Sequence, residues 1–289
     1  MNGKAAAILL SAFLAVGPAK ATPPIHIIVI DRETLNQLGP LPWPRDRHAK
    51  LVNILCGAGA RAVALSFHYR DPGPGGGDGE LAGAMKKCGH VYLSTGILEG
   101  AQSWEADDTW LARMALNAEG QQPGSIIDAE HIQLPIRKLA DAIAGLGATE
   151  LKLDKERKLV SMPLMIRHGN WLIPSLGFRI FLDLNGMKET PIAIKKGKQI
   201  IFEGKKINVD RFGSCLVNMT SPGSAYPTHS FVAVLKGRVA PEKFKGAIVL
   251  VGVSGPRNEI TTSTGPKNTL ELVADQISTL YGFLSDSGK

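Results

Sequence analysis

The sequence predicts an α/β protein built on a doubly wound, mostly parallel sheet with an antiparallel hairpin insertion. Three observations carry that expectation. Residues Ile25–Ile30 and 245–253 form near-continuous apolar runs, the mark of strands covered on both faces. Such strands alternate, over short connections, with segments of helical period, which implies parallel pairing through right-handed crossovers. Residues 150–172 instead alternate around the polar turn Asp154-Lys155-Glu156-Arg157, as a hairpin does.

Taken in order, the first strand is Ile25–Ile30, ending at Asp31. A helix over 45–58 follows, with Leu51, Ile54 and Leu55 on one face, Pro44 at its first turn and Gly57 and Gly59 at its exit. Residues 61–67 form the second strand. The glycine-rich stretch 73–79 reads as a surface loop, after which Asp78 caps a helix over 80–87. Val91–Thr95 is the third strand. Residues 102–122 are less regular, with Trp104 and Trp110 packing a loop or short helix onto the body. A helix is expected over 134–146, the hairpin over 150–172, and another helix over 174–184. Two short strands, 192–194 and Gln199–Phe202, meet at a basic turn. A strand over 215–219, a helix over 230–235, the buried strand 245–253, a polar loop over 254–268 and a final helix over 270–280 complete the chain. The tail 285–289 is polar.

The first 21 residues read as a signal peptide. Lys4 supplies a positive start, residues 5–16 are apolar apart from Ser11, Gly17-Pro18 breaks the run, and Ala19-Lys20-Ala21 offers small residues to a peptidase. The apolar run is 12 residues long, against the roughly 20 that cross a bilayer as a helix. No later stretch approaches that length. The expectation is cleavage after Ala21, a periplasmic or secreted location, and a mature chain, residues 22–289, forming one domain without a transmembrane helix.

Removing the leader takes away Lys4 and Lys20 and no acid, lowering the formal net charge from +7 to +5. The remaining basic residues are dispersed among acids and are not interleaved with aromatics, unlike the concentrated stripe of a nucleic-acid groove. No nucleic-acid partner is therefore expected. Cys56, Cys88 and Cys215 have no metal-ligand spacing. They read as small buried hydrophobes, with a Cys56–Cys88 disulfide as the alternative that spacing leaves open. The odd number leaves at least one free thiol in an exported chain.

The order of elements and the residues at their joints resemble the second type of CHASE domain, an extracellular sensory domain associated with bacterial cyclases and histidine kinases. The matching residues are Ile28-Val29-Ile30-Asp31, Leu38-Gly39, Trp43-Pro44-Arg45 and His48-Ala49, then the run from Gly57 to Ala64. Further on stand Asp78 with Leu81, Gly89-His90-Val91-Tyr92-Leu93, Leu153-Asp154 and Pro174-Ser175-Leu176. Last come Phe244-Lys245-Gly246 and the strand Ile248-Val249-Leu250-Val251-Gly252-Val253. The resemblance covers 25–282. It implies an extracellular ligand sensor, usually followed by membrane helices and a cytoplasmic output domain. This sequence ends at Lys289 with neither, so a stand-alone sensory module is expected, one that captures an unknown small ligand or docks onto a membrane-bound cyclase or kinase. The acid common at the end of the second strand in the family is replaced by Ser66-Phe67-His68. Glu259 stands before Thr261-Thr262, where the family tends to have an Asp before a Thr-Pro pair, so the usual acidic constellation is thinned.

In open α/β sheets ligands bind outside the carboxyl ends of the strands. That geometry selects Asp31, His68, Thr95, Asn218 and the segment Ser254 to Arg257, to which the resemblance adds Glu259. Asp31 and Arg45 either pair with each other, locking the first turn to the first helix, or present a carboxylate and a guanidinium to a ligand. Trp43, between two prolines, reads as a packing wedge, and His48 as a capping or packing residue. His68 has no second His or acid at close spacing, so no metal site is expected there. Gly77-Asp78-Gly79 lies too far beyond its strand for a dinucleotide turn. Ser254 lacks the second glycine of a nucleophile elbow, since Pro256 occupies that place. No cofactor and no enzymatic activity are expected. The leading function is a ligand-binding sensor. A scaffold that has lost its ligand site is the first alternative, and a hydrolase using Asp31 and His68 the second.

Overall fold

The computed structural model describes residues 21–98, 105–223, 225–255 and 259–285. Strand β1 (Ile25–Ile30) runs through Asp31 into a short helix α1 (Arg32–Leu38), followed by α2 (Asp46–Gly57) and β2 (Ala62–Leu65). Then come α3 (Asp78–Cys88), β3 (Val91–Thr95), α4 (Asp108–Met114), β4 (Ala118–Gly120), α5 (Arg137–Ala140) and β5 (Gly145–Ala148). Two small hairpins follow, β6 (Lys152–Leu153) with β7 (Leu159–Ser161) and β8 (Met165–His168) with β9 (Trp171–Pro174). Helix α6 (Leu176–Leu184) precedes the strands β10 (Ile192–Lys195), β11 (Gln199–Phe202) and β12 (Lys205–Asn208). The chain closes with β13 (Thr228–Ser230), α7 (Phe231–Leu235), a 3-10 turn (Pro241–Phe244), β14 (Ile248–Val253), the hairpin β15 (Glu259–Thr262) and β16 (Gly265–Asn268), and α8 (Thr269–Ser285).

The main sheet has six strands in the order β13-β1-β14-β2-β3-β5, and every pairing in it is parallel. β1 and β14 pair along their full length, from Ile25 opposite Ile248 to Ile30 opposite Val253. Their β-branched residues are buried on both faces, which explains the absence of alternation in their sequences. One face is covered by α2, α3, α4 and α7, whose Leu51, Leu55, Leu81, Met85, Met114 and Phe231 meet Ile28, Ile30 and Val249. The other is covered by α6, α8 and the β10–β12 sheet, through Phe178, Phe181, Phe202 and Ile277. This is the doubly wound α/β architecture that the sequence predicts.

Several local expectations are corrected. Helix α1 is new: Asp31 caps it by accepting from the Thr34 amide at 2.8 Å, and Gly39 ends it with φ +81°. Residues 134–146 are not one helix. Four residues form α5 and then Gly145-Leu146-Gly147-Ala148 becomes the edge strand β5. Glycine suits a strand poorly, yet a Cβ at Gly147 would lie 2.3 Å from Leu176 Cα, so close seating of α6 selects it. The single hairpin over 150–172 is two hairpins. Residues 215–219 form no strand, and the loop over 254–268 contains β15 and β16, with alternating burial in β15. The glycine stretch packs against the start of α2. Gly77 has φ +85° and a Cβ there would meet the Asp46 amide at 2.5 Å. Trp43 is a wedge, buried against Phe231, with its indole N–H donating to the Gly39 carbonyl at 2.9 Å. Trp104 lies outside the described residues, whereas Trp110 is buried in α4.

The cysteine reading is also corrected. Cys56, near the end of α2, and Cys88, at the end of α3, form a disulfide across a separation of 32 residues. A closure of that length stabilises by roughly 3–4 kcal/mol in chain-entropy terms. Cys215 is free and buried, as the sequence suggests, and burial pushes its thiol up to about 12.

Candidate functional site

Because the sheet is parallel throughout, the carboxyl ends of its strands share one edge. Asp31 follows β1, Ser230 ends β13, Ser254 follows β14, His68 lies just beyond β2, Thr95 ends β3 and Glu150 stands just past β5. This edge divides into two regions.

The region around β1 and β13 is internally satisfied. Asp31 Oδ1 accepts from the Thr34 amide at 2.8 Å and from the Ser230 hydroxyl at 3.0 Å. Thr34 Oγ1 lies 3.0 Å from Ser230 Oγ and accepts from the Val232 amide at 3.2 Å. Burial opposes ionisation of Asp31, but these hydrogen bonds outweigh it and hold the carboxyl below its ordinary range. Arg45 has other partners: its Nε is 3.6 Å from Asp78 Oδ1, its guanidinium lies 4.4 Å from the centre of the Tyr69 ring, and it donates to the Asp71 carbonyl. The Asp31–Arg45 pair considered from sequence is thus replaced by two separate sets of partners. Beneath them, His48 is buried, stacks on Phe67 and shares a 3.0 Å hydrogen bond with the Tyr69 hydroxyl. Burial, reinforced by Arg45 and Arg47, lowers its pKa to about 3.

The region around β2, β3 and β5 is open at His68 among the described residues. His68 is exposed, and its ring makes no hydrogen bond among the described residues. Crowding by the strand ends desolvates the imidazole and lowers its pKa, while the nearby Glu150 carboxylate opposes that shift. Glu150 Oε1 accepts from the Ile97 amide at 2.7 Å. Between them lies Gly96, where a Cβ would come within 3.0 Å of Glu150 Oε1 and 3.7 Å of the His68 ring. A side chain there would fill the space between base and acid. Thr95 is buried and donates to the Gln133 carbonyl at 2.7 Å, so it serves the floor of this region rather than its surface.

The remaining candidates scatter. The Ser254 amide is 3.4 Å from the Ile30 carbonyl, at the edge. Asn218 is elsewhere: its amide donates to Thr279 Oγ1, well along α8. Glu259 is exposed at the start of β15, opposite Asn268. Arg257 lies outside the described residues.

The sequence profile of the CHASE2 domain matches residues 6–288. The chain belongs to the CHASE2 family. CHASE2 domains are extracellular sensory domains, in agreement with the resemblance seen in the sequence. No curated protein and no solved structure matched the chain. No helix among the described residues is long and apolar enough to cross a membrane.

Two features of this CHASE2 chain escaped sequence reasoning. Glu150 was hidden by the helix expected over 134–146, since without β5 it has no strand end to follow. The second is a buried ion pair. Lys267 Nζ lies 2.5 Å from Asp275 Oδ2 and donates to Thr220 Oγ1 at 2.8 Å, with both charged side chains fully buried. Thr220 and Tyr226 hydroxyls donate to Asp275 Oδ1 at 2.7 and 2.9 Å. The network ties the loop around residue 220 to β16 and α8. Nearby, an open cleft of about 550 Å³ is lined by Val160, Met162, Val209, Leu216 and Met219, with Leu216 85% and Val160 53% exposed.

Proposed function

We propose that this CHASE2 chain is an exported sensor that captures a small polar ligand between His68 and Glu150 at the carboxyl edge of the sheet. Ligand capture is passed to a membrane-bound cyclase or kinase on which the mature domain, residues 22–289, docks. The observation that carries this reading is the open half of the edge: an exposed imidazole, without an internal hydrogen bond among the described residues, beside a carboxylate and separated from it by a glycine. A neutral imidazole both donates and accepts, and a carboxylate accepts, so the ligand is a small molecule with hydroxyl or amine groups. Ser254, after the neighbouring β14, borders the site, while Asp31 lies one strand further away and is committed to its cap.

Thermal-shift screening against amino acids, small organic acids, sugars and nucleosides tests the reading. A ligand that raises the melting temperature of the wild type and not of His68→Ala supports it. A panel without effect, or effects equal in the variant, counts against it. Export is tested by the N-terminus of protein recovered from cells: Thr22 is expected, and Met1 contradicts cleavage.

The scaffold reading draws on one observation, the exposed Leu216 and Val160 at the cleft. Partner capture abolished by Leu216→Asp, with ligand screening negative, favours it. The hydrolase reading loses ground. β14 lies between β1 and β2, so Asp31 and His68 follow strands about 10 Å apart, and Asp31 is already occupied.

A further inference from the structure

The disulfide partners share their surroundings with a histidine. One ligand atom from each of Cys56, Cys88 and His90 lies within 4.8 Å of the others. We propose that, once the Cys56–Cys88 bond is reduced, the two thiolates and the His90 imidazole bind one thiophilic divalent cation such as zinc. The cysteine pair is then a clamp in its oxidised form and part of a metal site in its reduced form. This inference is independent of the ligand site proposed at His68.

The geometry favours it in three ways. Cys56 and Cys88 sit at the C-terminal ends of α2 and α3, with their Cα atoms 5.7 Å apart. The sulfurs need only separate to about 3.8 Å, the edge of a tetrahedron with ~2.3 Å zinc–sulfur bonds. His90 follows Cys88 across Gly89, whose φ of +75° turns the chain back. Its Nε2 is buried and without a hydrogen-bond partner among the described residues, a rare condition for a buried polar atom. All three residues are half-buried, which leaves the fourth position of a tetrahedron to water. The set of two sulfurs and one nitrogen matches zinc rather than magnesium or calcium.

The step balances with a dithiol as reductant. The dithiol transfers two electrons and two protons to the Cys56–Cys88 bond and becomes a disulfide itself. Zinc binding then releases the two thiol protons.

The test uses the full chain, reduced with a dithiol, desalted without oxygen and titrated with Co2+ and then Zn2+. We expect one equivalent of cobalt with thiolate charge-transfer absorption and the ligand-field bands of tetrahedral cobalt, displaced by zinc. The oxidised chain should show neither. Cys88→Ser should abolish the signal, His90→Gln should weaken binding at least ~10-fold, and Cys215→Ser should leave it unchanged. Zinc should raise the melting temperature of the reduced chain and not of the oxidised one. The proposal is overturned if the reduced chain shows neither the cobalt spectrum nor the zinc-induced shift, if the oxidised chain binds equally, or if Cys88→Ser or His90→Gln binds as the wild type does.

Discussion

His48 and His68 lie 20 residues apart in the sequence, yet they belong to opposite regions of one sheet edge. His48 is sealed beneath the β1 side, stacked on Phe67 and hydrogen-bonded to Tyr69, with Asp31, Ser230 and Arg45 above it all engaged. His68 stands on the β2 side, exposed beside Glu150 with no internal hydrogen bond among the described residues. A polar residue at the carboxyl edge of an α/β sheet is thus no ligand group by position alone. What matters is whether its hydrogen-bonding capacity is already used by the fold.

Predictions that separate closed from open polar groups run from large effects on stability to almost none. The most closed group of all is the Lys267–Asp275 pair. Lys267→Met leaves Asp275 buried and uncompensated, and is expected to cost about 3–5 kcal/mol in chemical denaturation. A cost under about 1 kcal/mol would mean that the pair is dispensable.

His48 gives the next effect, through pH. Its pKa is about 3 in the folded chain against 6.5 when unfolded. The unfolded chain therefore binds the proton first, so this contribution is fully present above pH 6.5 and declines as pH falls from 6.5 toward 3. The decline approaches ~1.4 kcal/mol per pH unit, or roughly 2–3 kcal/mol by about pH 4.5 in this group alone. The lowered pKa values of His26, His90 and His229 act in the same direction. Melting curves between about pH 7 and pH 4.5 check the slope, which His48→Gln should flatten. An unchanged slope in that variant would place the acid sensitivity elsewhere.

Asp31→Ala should cost about 1–2 kcal/mol, the range for removal of a helix cap, here together with the hydrogen bond that the Ser230 hydroxyl donates to the carboxylate. Denaturant midpoints measure it, and a neutral effect would return Asp31 to the open class. His68→Ala, at the other end of the scale, should change stability by no more than about 0.5 kcal/mol. A larger destabilisation would show that His68 is structural.

The contrast between these regions was only partly legible in the sequence. β1 and β14 declare themselves because strands buried on both faces must be apolar throughout, and they fix the parallel sheet. Asp31 and His68 follow from that as strand-end residues. Their difference does not follow, because Asp31 is engaged by Ser230, 199 residues away, through an edge strand of only three residues. Glu150 was obscured because β5 is chosen by the close approach of α6 rather than by strand propensity. Asn218 was misplaced for a related reason: the stretch 215–219 reads as a strand but pairs with none, and the Asn218 amide is instead held by Thr279 of α8. The disulfide needed the ends of α2 and α3 brought side by side, which residue spacing does not reveal.

The proposed ligand site lies in the open region of the edge and not in the closed one. Isothermal calorimetry of wild type, His68→Ala and Asp31→Ala, using the compound that gives the largest thermal shift, is the sharpest test of that assignment. His68→Ala is expected to show no measurable binding, while folded Asp31→Ala keeps the wild-type affinity within about threefold, under ~1 kcal/mol. Binding that survives His68→Ala and disappears in folded Asp31→Ala would reverse the assignment.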